Sequence, residues 1–204
     1  MTDLKTIRYV AVAALYIAAA VVFVEGLGSE KQFLKATSWI PGAIMVALTL
    51  YERWLWKFPL LGKRPILSGT WKADLTSTWK DPKQPDVPVQ RTVYFVFRQT
   101  ATLLTITMHT ELSASQTLAS QLLKGTADDT YALSWIYHNT SQEDQEKSPN
   151  HYGSVIAEQV GGRKVTQIRG NYFTDRKTTG SFATVGDRKR KRASSLADAQ
   201  KLFA

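Results

Sequence analysis

The densest run of binding chemistry in the chain is Arg169-Gly170-Asn171-Tyr172-Phe173-Thr174-Asp175-Arg176-Lys177-Thr178-Thr179-Gly180. It gathers two arginines, an amide, aromatic rings, hydroxyls and glycines into one short stretch. A guanidinium suits phosphate because its planar fork donates two parallel hydrogen bonds. A tyrosine ring can stack on a nucleobase, and glycine lets backbone approach a ligand closely. Residue type and strand alternation select Arg169, Asn171, Tyr172, Thr174, Arg176 and Thr178 as candidate ligand contacts. Tyr137 and Tyr152 join them as stacking residues, and Ser77 as an inward-facing hydroxyl. The same composition also describes an ordinary polar hairpin with turn residues, and at this point both readings stand.

Catalytic chemistry is not expected. His109, His138 and His151 fall on different strands with no metal-ligand spacing. The sequence carries no nucleophile motif, phosphate-cradling loop or paired carboxylate. Asp128-Asp129 and Glu143-Asp144 lie in expected loops, where carboxylates are solvated. With no cysteine in the chain, disulfides and thiolate metal sites are excluded. A binding protein without metal or resident cofactor is the expectation, not an enzyme.

The elements that must position these residues read as strands. Between Gly69 and Trp79, Trp71, Ala73, Leu75, Ser77 and Trp79 alternate with Lys72, Asp74, Thr76 and Thr78, a period of two. Further strands are expected at Val89–Arg98, Ala101–Thr110, Ser113–Leu123, Thr130–His138, His151–Val160, Lys164–Thr174 and Thr178–Val185. A Pro-rich connector with Pro82, Pro85 and Pro88 and a polar loop from Asn139 to Asn150 interrupt them. Gly161-Gly162 is a strong hairpin signal. Eight sequential strands with mostly short connections predict an up-and-down antiparallel β-barrel, which removes exposed edges. A barrel of eight strands can fill its interior or hold one small ligand. Gly69-x-Trp71 resembles the opening of lipocalin-like barrels, in which such a tryptophan plugs one end.

Ahead of the barrel stand two uncharged apolar runs of 16 residues, Tyr9–Val24 and Ala36–Tyr51. Each would span about 24 Å as helix, and flanking apolar residues extend both. Trp39, Tyr51, Trp54 and Trp56 cluster near the expected interfaces. A transmembrane helical hairpin is predicted. The Lys/Arg distribution, with Lys5 and Arg8 before it and Arg53, Lys57, Lys63 and Arg64 after it, puts both termini and the barrel in the cytoplasm. Ala11, Ala14 and Ala18 form a small-residue stripe that could serve as an association face or simply be tolerated in a short span. The organisation is then residues 1–57 as the two-helix hairpin, 58–65 as a linker, 66–186 as the barrel and 187–204 as a basic tail. The formal charge is +9, and Arg188-Lys189-Arg190-Lys191-Arg192 supplies five of the cations. An anionic partner suits this balance: lipid headgroups, nucleic acid or a phosphate-bearing ligand. The tail itself reads as disordered and solubilising, ending in a short helical pattern through Leu202-Phe203.

Two N-terminal spans, the first strand Gly69-Thr70-Trp71-Lys72-Ala73-Asp74-Leu75-Thr76-Ser77-Thr78-Trp79, and a closing pattern of Gly170, Tyr172, Arg176 and Gly180 make a recognisable order. That order, covering about Ile7 to Val185, resembles the two-transmembrane, β-strand-rich effectors of bacterial CBASS antiphage defence, the CD-NTase-associated protein 15 family. The spacing between Arg176 and Gly180 is one residue longer than a minimal form of the pattern. The resemblance implies a cytoplasmic barrel that binds a cyclic dinucleotide made by a CD-NTase during infection. It further implies homo-oligomeric association in the inner membrane, membrane disruption and death of the infected cell. A membrane-tethered barrel for a lipid or other apolar ligand is the alternative, with an interior lined by Phe95, Leu103 and Leu133.

Overall fold

The alternation that begins at Trp71 folds into eight antiparallel strands: β1 (Gly69–Ser77), β2 (Val89–Gln99), β3 (Leu104–His109), β4 (Ser113–Lys124), β5 (Tyr131–Ser141), β6 (His151–Glu158), β7 (Arg169–Thr174) and β8 (Thr179–Lys189). Each pairs with its neighbour in sequence, and β8 returns to β1, so the sheet closes into a barrel. The computed structural model describes residues 16–17, 19, 30–60, 64–79, 89–125, 130–141, 150–158 and 163–204. Two compact units result, one of Lys63–Gln99 with Leu103–Ala204 and one of Met1–Gly62 with Thr100–Thr102. The Gly161-Gly162 turn and most of the Pro-rich and acidic loops lie outside the described residues.

In the barrel unit the inward positions follow strand phase. Trp71, Ala73, Val93, Phe95, Phe97, Leu104, Ile106, Leu133, Trp135, Val155 and Phe182 form one buried core. Its centre is aromatic. Phe95 and Phe182 lie 4.9 Å apart between ring centroids, and Trp135 stands edge-on to both at 6.0 Å. Edge-to-face and tilted contacts of this kind add to simple area burial.

One end of the barrel is plugged. Trp71, almost wholly buried, donates its indole N–H to the Leu67 carbonyl at 2.9 Å. Leu67 N–H donates to Gln99 Oε1 at 2.8 Å, and Gln99 Nε2 donates to the Pro65 carbonyl at 2.9 Å. The Arg188 guanidinium lies over the Trp71 ring, 5.9 Å from its centroid, and donates to the Ile66 carbonyl. Gly69 makes the arrangement possible. Its φ of +136° and its close approach to Lys189 and Arg188 leave no room for a Cβ. The Gly-x-Trp opening thus closes the barrel floor, as its lipocalin-like character led one to expect.

Four expectations are corrected. Asn139–Ser141 belongs to β5 and not to a loop, because β5 pairs with β4 out to Ser113 and Ser141. Ala101–Leu103 precedes β3 and is not strand. Lys164–Ile168 is not strand. Ile168 N–H is taken by the Thr184 hydroxyl at 2.8 Å, so regular pairing with β8 starts at Arg169. The basic segment after residue 186 is not a disordered tail. β8 continues to Lys189, and the Thr70 hydroxyl donates to the Lys191 carbonyl at 2.8 Å while accepting from Ala193 N–H at 2.9 Å. A helix, α2 (Leu196–Phe203), follows, capped by Ser195, whose side chain accepts from Asp198 N–H. Leu196, Ala199, Leu202 and Phe203 cover Tyr94 and Val96, two outward residues of β2 that would otherwise be bare. Phe203 and Tyr94 stand 5.7 Å apart.

The other unit contains α1 (Glu30–Arg53), with Pro41 inside it, and a 3-10 turn at Leu55–Lys57. The second apolar run lies within α1. The first run and the alanines Ala11, Ala14 and Ala18 fall outside the described residues, which retain only Tyr16, Ile17 and Ala19 of that stretch. Among the described residues no helix is long and apolar enough to cross a membrane. Met45, Val46, Leu50 and Trp54 are exposed apolar side chains on α1 and just beyond it.

Candidate ligand-binding cavity

Above the aromatic centre the barrel interior opens into a cavity of about 530 Å³, a size that suits a small-molecule ligand. It lies at the end opposite the plug, where β1, β3, β5 and β7 finish and β2, β4, β6 and β8 begin. Its floor is apolar: Leu75, Val93, Phe95, Met108, Val155 and Phe182. Its wall and rim are polar and aromatic, with Ser77, Arg91, Ser115, Trp135, Tyr137, Asn139, His151, Tyr172, Thr174, Arg176 and Thr178. Two guanidinium groups face this space, and no carboxylate lines it among the described residues. Net positive charge in a partly enclosed site favours an anionic ligand, because low-dielectric walls weaken screening.

Glycines set the positions of the two tyrosines. Tyr137 on β5 is paired with Gly153 on β6, and a Cβ at 153 would come within 2.7 Å of Tyr137 Cε1. Tyr172 on β7 is paired with Gly180 on β8, and a Cβ there would come within 2.6 Å of Tyr172 Cζ. Each ring occupies space that any other residue opposite would fill. Burial pushes the Tyr137 phenol well above its usual range, and nearby Tyr172 adds to this, against the pull of Arg176. Burial also raises Tyr172, opposed by its hydrogen bond with Ser77 and by the positive charges of Arg176 and Arg91. Both phenols stay protonated at neutral pH and can donate to a phosphate or a base carbonyl.

The β7–β8 hairpin presents Arg176. Thr174 and Thr178 hydroxyls stand 2.6 Å apart across the turn, and Thr174 N–H donates to the Thr178 carbonyl at 3.0 Å. Lys177 takes φ +59°, the left-handed conformation that lets the chain reverse so tightly. Asp175 points away, its carboxylate accepting from Tyr152 N–H at 3.1 Å.

Six of the nine residues expected from sequence meet in this cavity: Ser77, Tyr137, Tyr172, Thr174, Arg176 and Thr178. Three do not. Arg169 and Asn171 have the opposite phase to Tyr172 on β7 and face outward. Arg169 Nε donates to Gln167 Oε1 at 2.9 Å, and Asn171 is exposed. Tyr152 also faces outward, stacked on His138 at 4.7 Å. Its phase is opposite to that of His151 and Gly153. For the apolar-ligand alternative, Phe95 lies on the cavity floor, Leu133 is sealed in the core and Leu103 is exposed.

Arg91, Asn139, His151 and Trp135 complete the wall and were not anticipated. Strand phase could have found them: Arg91 is in register with Val93 and Phe95, and Trp135 and Asn139 with Tyr137. Asn139 is 3% exposed, yet its side-chain oxygen has no hydrogen-bond partner. A buried polar atom left unpaired costs about 1–3 kcal/mol, and this acceptor carries that cost inside the cavity wall. It is suited to an N–H donor such as a nucleobase edge. Among the described residues no cluster could hold a metal ion.

Residues 62–185 match the family model described as the Cap15 cyclic dinucleotide receptor domain. No curated protein matches the chain. The matched span contains every cavity residue named above and more than half of the chain. The closed barrel, the polar aromatic cavity and this match agree with the resemblance carried by the sequence. The chain therefore belongs to the Cap15 family of CBASS effectors, and its barrel is a Cap15 cyclic dinucleotide receptor domain.

Proposed function

We propose that this protein is a membrane-anchored CBASS effector whose barrel takes a cyclic dinucleotide, supplied by a CD-NTase, into the cavity above the aromatic centre. The carrying observation is the combination of Arg91 and Arg176 with no facing carboxylate among the described residues. A cyclic dinucleotide is a dianion with two bases. The two arginines meet its phosphates, Trp135, Tyr137 and Tyr172 offer ring surfaces or phenolic donors, and Asn139 accepts from a base edge. The role of the protein in this reading is binding and signalling, with no catalytic step.

The N-terminal segment sits in the bacterial inner membrane, with the N-terminus and the barrel in the cytoplasm. Support comes from the uncharged runs Tyr9–Val24 and Ala36–Tyr51 and from the exposed Met45, Val46, Leu50 and Trp54. Ligand-bound copies associate, the bilayer is disrupted and the infected cell dies. Such a switch requires the ligand to bind the associated state more tightly than the resting one, since equal affinity would shift nothing.

The apolar floor of Leu75, Val93, Phe95 and Met108 favours a second reading, a barrel for an apolar ligand. Thermal melting of the full chain in detergent separates the two. A ligand at about a hundredfold excess over its Kd adds roughly 2.7 kcal/mol. That is several degrees for a domain of this size. A rise with a cyclic dinucleotide and none with fatty acids or phospholipids supports the nucleotide reading; the reverse pattern supports the apolar one.

A further inference from the structure

The cations at the plugged end of the barrel are unused by the cavity. Arg188 turns inward over Trp71, but Lys189, Arg190, Lys191 and Arg192 are exposed. Arg98, at the end of β2, and Lys164, before β7, are exposed at the same end. The acidic residues on the elements carrying the basic run are Asp187 and Asp198, so cations outnumber them. Arg188 registers the crowding: burial first, and then the like charge of Arg190, lowers its pKa.

This run is a built surface. The Thr70 hydroxyl holds the backbone on both sides of Arg192, through the Lys191 carbonyl at 2.8 Å and Ala193 N–H at 2.9 Å. Ala193 is buried, and Lys189 Nζ lies 5.5 Å from the Phe203 ring centroid. A flexible tail would lose conformational entropy on docking; these backbone positions are already ordered.

The chain also enters the barrel at this end. Trp71 donates to Leu67, Arg188 donates to Ile66, and Ile66 N–H donates to the Arg163 carbonyl at 3.2 Å. Residues 58–64 precede that entry and can stretch to about 25 Å at most. Whatever surface holds the N-terminal segment is therefore within reach of the cations.

We propose that the plugged end, through Lys189, Arg190, Lys191, Arg192, Arg98 and Lys164, docks on anionic lipid headgroups and so turns the ligand cavity away from the bilayer. This rests on the membrane reading above. Each basic residue near an anionic surface adds to the attraction, which salt screens.

Because the chain has no cysteine, a single Ala197→Cys substitution on exposed α2 takes an environment-sensitive fluorophore without competition. The labelled full chain is placed in vesicles of phosphatidylcholine alone or with phosphatidylglycerol. The expected result is a blue shift only with phosphatidylglycerol, reversed by high salt. Combined replacement of Lys189, Arg190, Lys191 and Arg192 by Gln should abolish it, while the chain still pellets with the vesicles through its N-terminal segment. Carbonate extraction of the same vesicles reports separately on the membrane reading. Retention after extraction with no lipid-dependent shift overturns the docking surface alone. If the chain is extracted, that reading fails, and charge-dependent pelleting with anionic vesicles still supports the surface while its absence overturns it. A response to polynucleotide but not to phosphatidylglycerol also overturns it.

Discussion

The ring of Tyr137 occupies the space that a side chain at Gly153 would need on the neighbouring strand. This pairing does two things. It lets the phenol lie against the neighbouring strand inside the barrel, and there burial raises its pKa, with Tyr172, two strands away, adding to the rise. Gly153→Ala should force the ring to move, with an overpacking cost of about 1–3 kcal/mol. The same change should weaken cyclic dinucleotide binding. Adding Tyr137→Ala should remove most of the stability penalty, so the two substitutions should be strongly non-additive in thermal melts.

The arginines should separate cleanly by strand phase. Arg91→Ala and Arg176→Ala each remove a charge-assisted phosphate contact, worth about 1.5–3 kcal/mol. Affinity in titration calorimetry should fall roughly ten- to hundredfold for each, with little change in melting temperature. Arg169→Ala, on the outer face, should leave affinity unchanged. An equal loss for Arg169→Ala would place the ligand outside the barrel.

Asn139 should trade stability for binding. Asn139→Leu removes an unpaired buried acceptor, and the ligand-free protein should melt at the same temperature or higher. Binding should weaken nonetheless. A variant that loses stability and keeps full affinity would show that Asn139 serves the fold alone.

The plug should matter to the fold and not to ligand contacts. Trp71→Ala should cost about 3–5 kcal/mol, a large share of the 5–15 kcal/mol that typically holds a domain folded. Chemical denaturation measures this directly. Arg188→Ala should cost less, because it removes one face of the tryptophan's packing and one hydrogen bond.

Alkaline pH should destabilise the barrel in a defined direction. The folded pKa values of Tyr137 and Tyr172 lie above the ordinary tyrosine value of 10. Above that pH the unfolded chain releases protons that the folded chain keeps, so stability is full below pH 10 and falls as pH rises beyond it. Tyr137→Phe should flatten this alkaline decline in urea midpoints. His109 acts at the other end of the scale: burial lowers its pKa, so it withdraws stability as pH falls below 6.5.

The fold was largely legible because the period-two pattern is unbroken where it matters. Val89, Ser113 and His151 begin strands as their patterning suggests, and the Gly69-x-Trp71 opening marks the plug. What sequence could not supply was set by contacts distant along the chain. Thr184 takes the Ile168 amide and delays β7, and Thr70 captures the backbone around Arg192 and orders a segment that composition assigns to a tail. For the cavity, Tyr172, Thr174, Arg176 and Thr178 were recognisable from residue type. Arg169 and Asn171 entered because composition was weighed ahead of phase. Arg91 was missed because it stands alone among unremarkable neighbours although its phase points inward, and Asn139 because it was assigned to the polar loop, whereas β5 runs on to Ser141.

The most direct test of the central claim is titration calorimetry of the full chain in detergent against a panel of cyclic dinucleotides, repeated on the Arg91→Ala/Arg176→Ala double variant. The expected result is saturable binding of at least one cyclic dinucleotide by the native chain and loss of that binding in a double variant that still melts cooperatively. Unchanged binding in the double variant, or saturable binding of lipids with no cyclic dinucleotide bound, would contradict it.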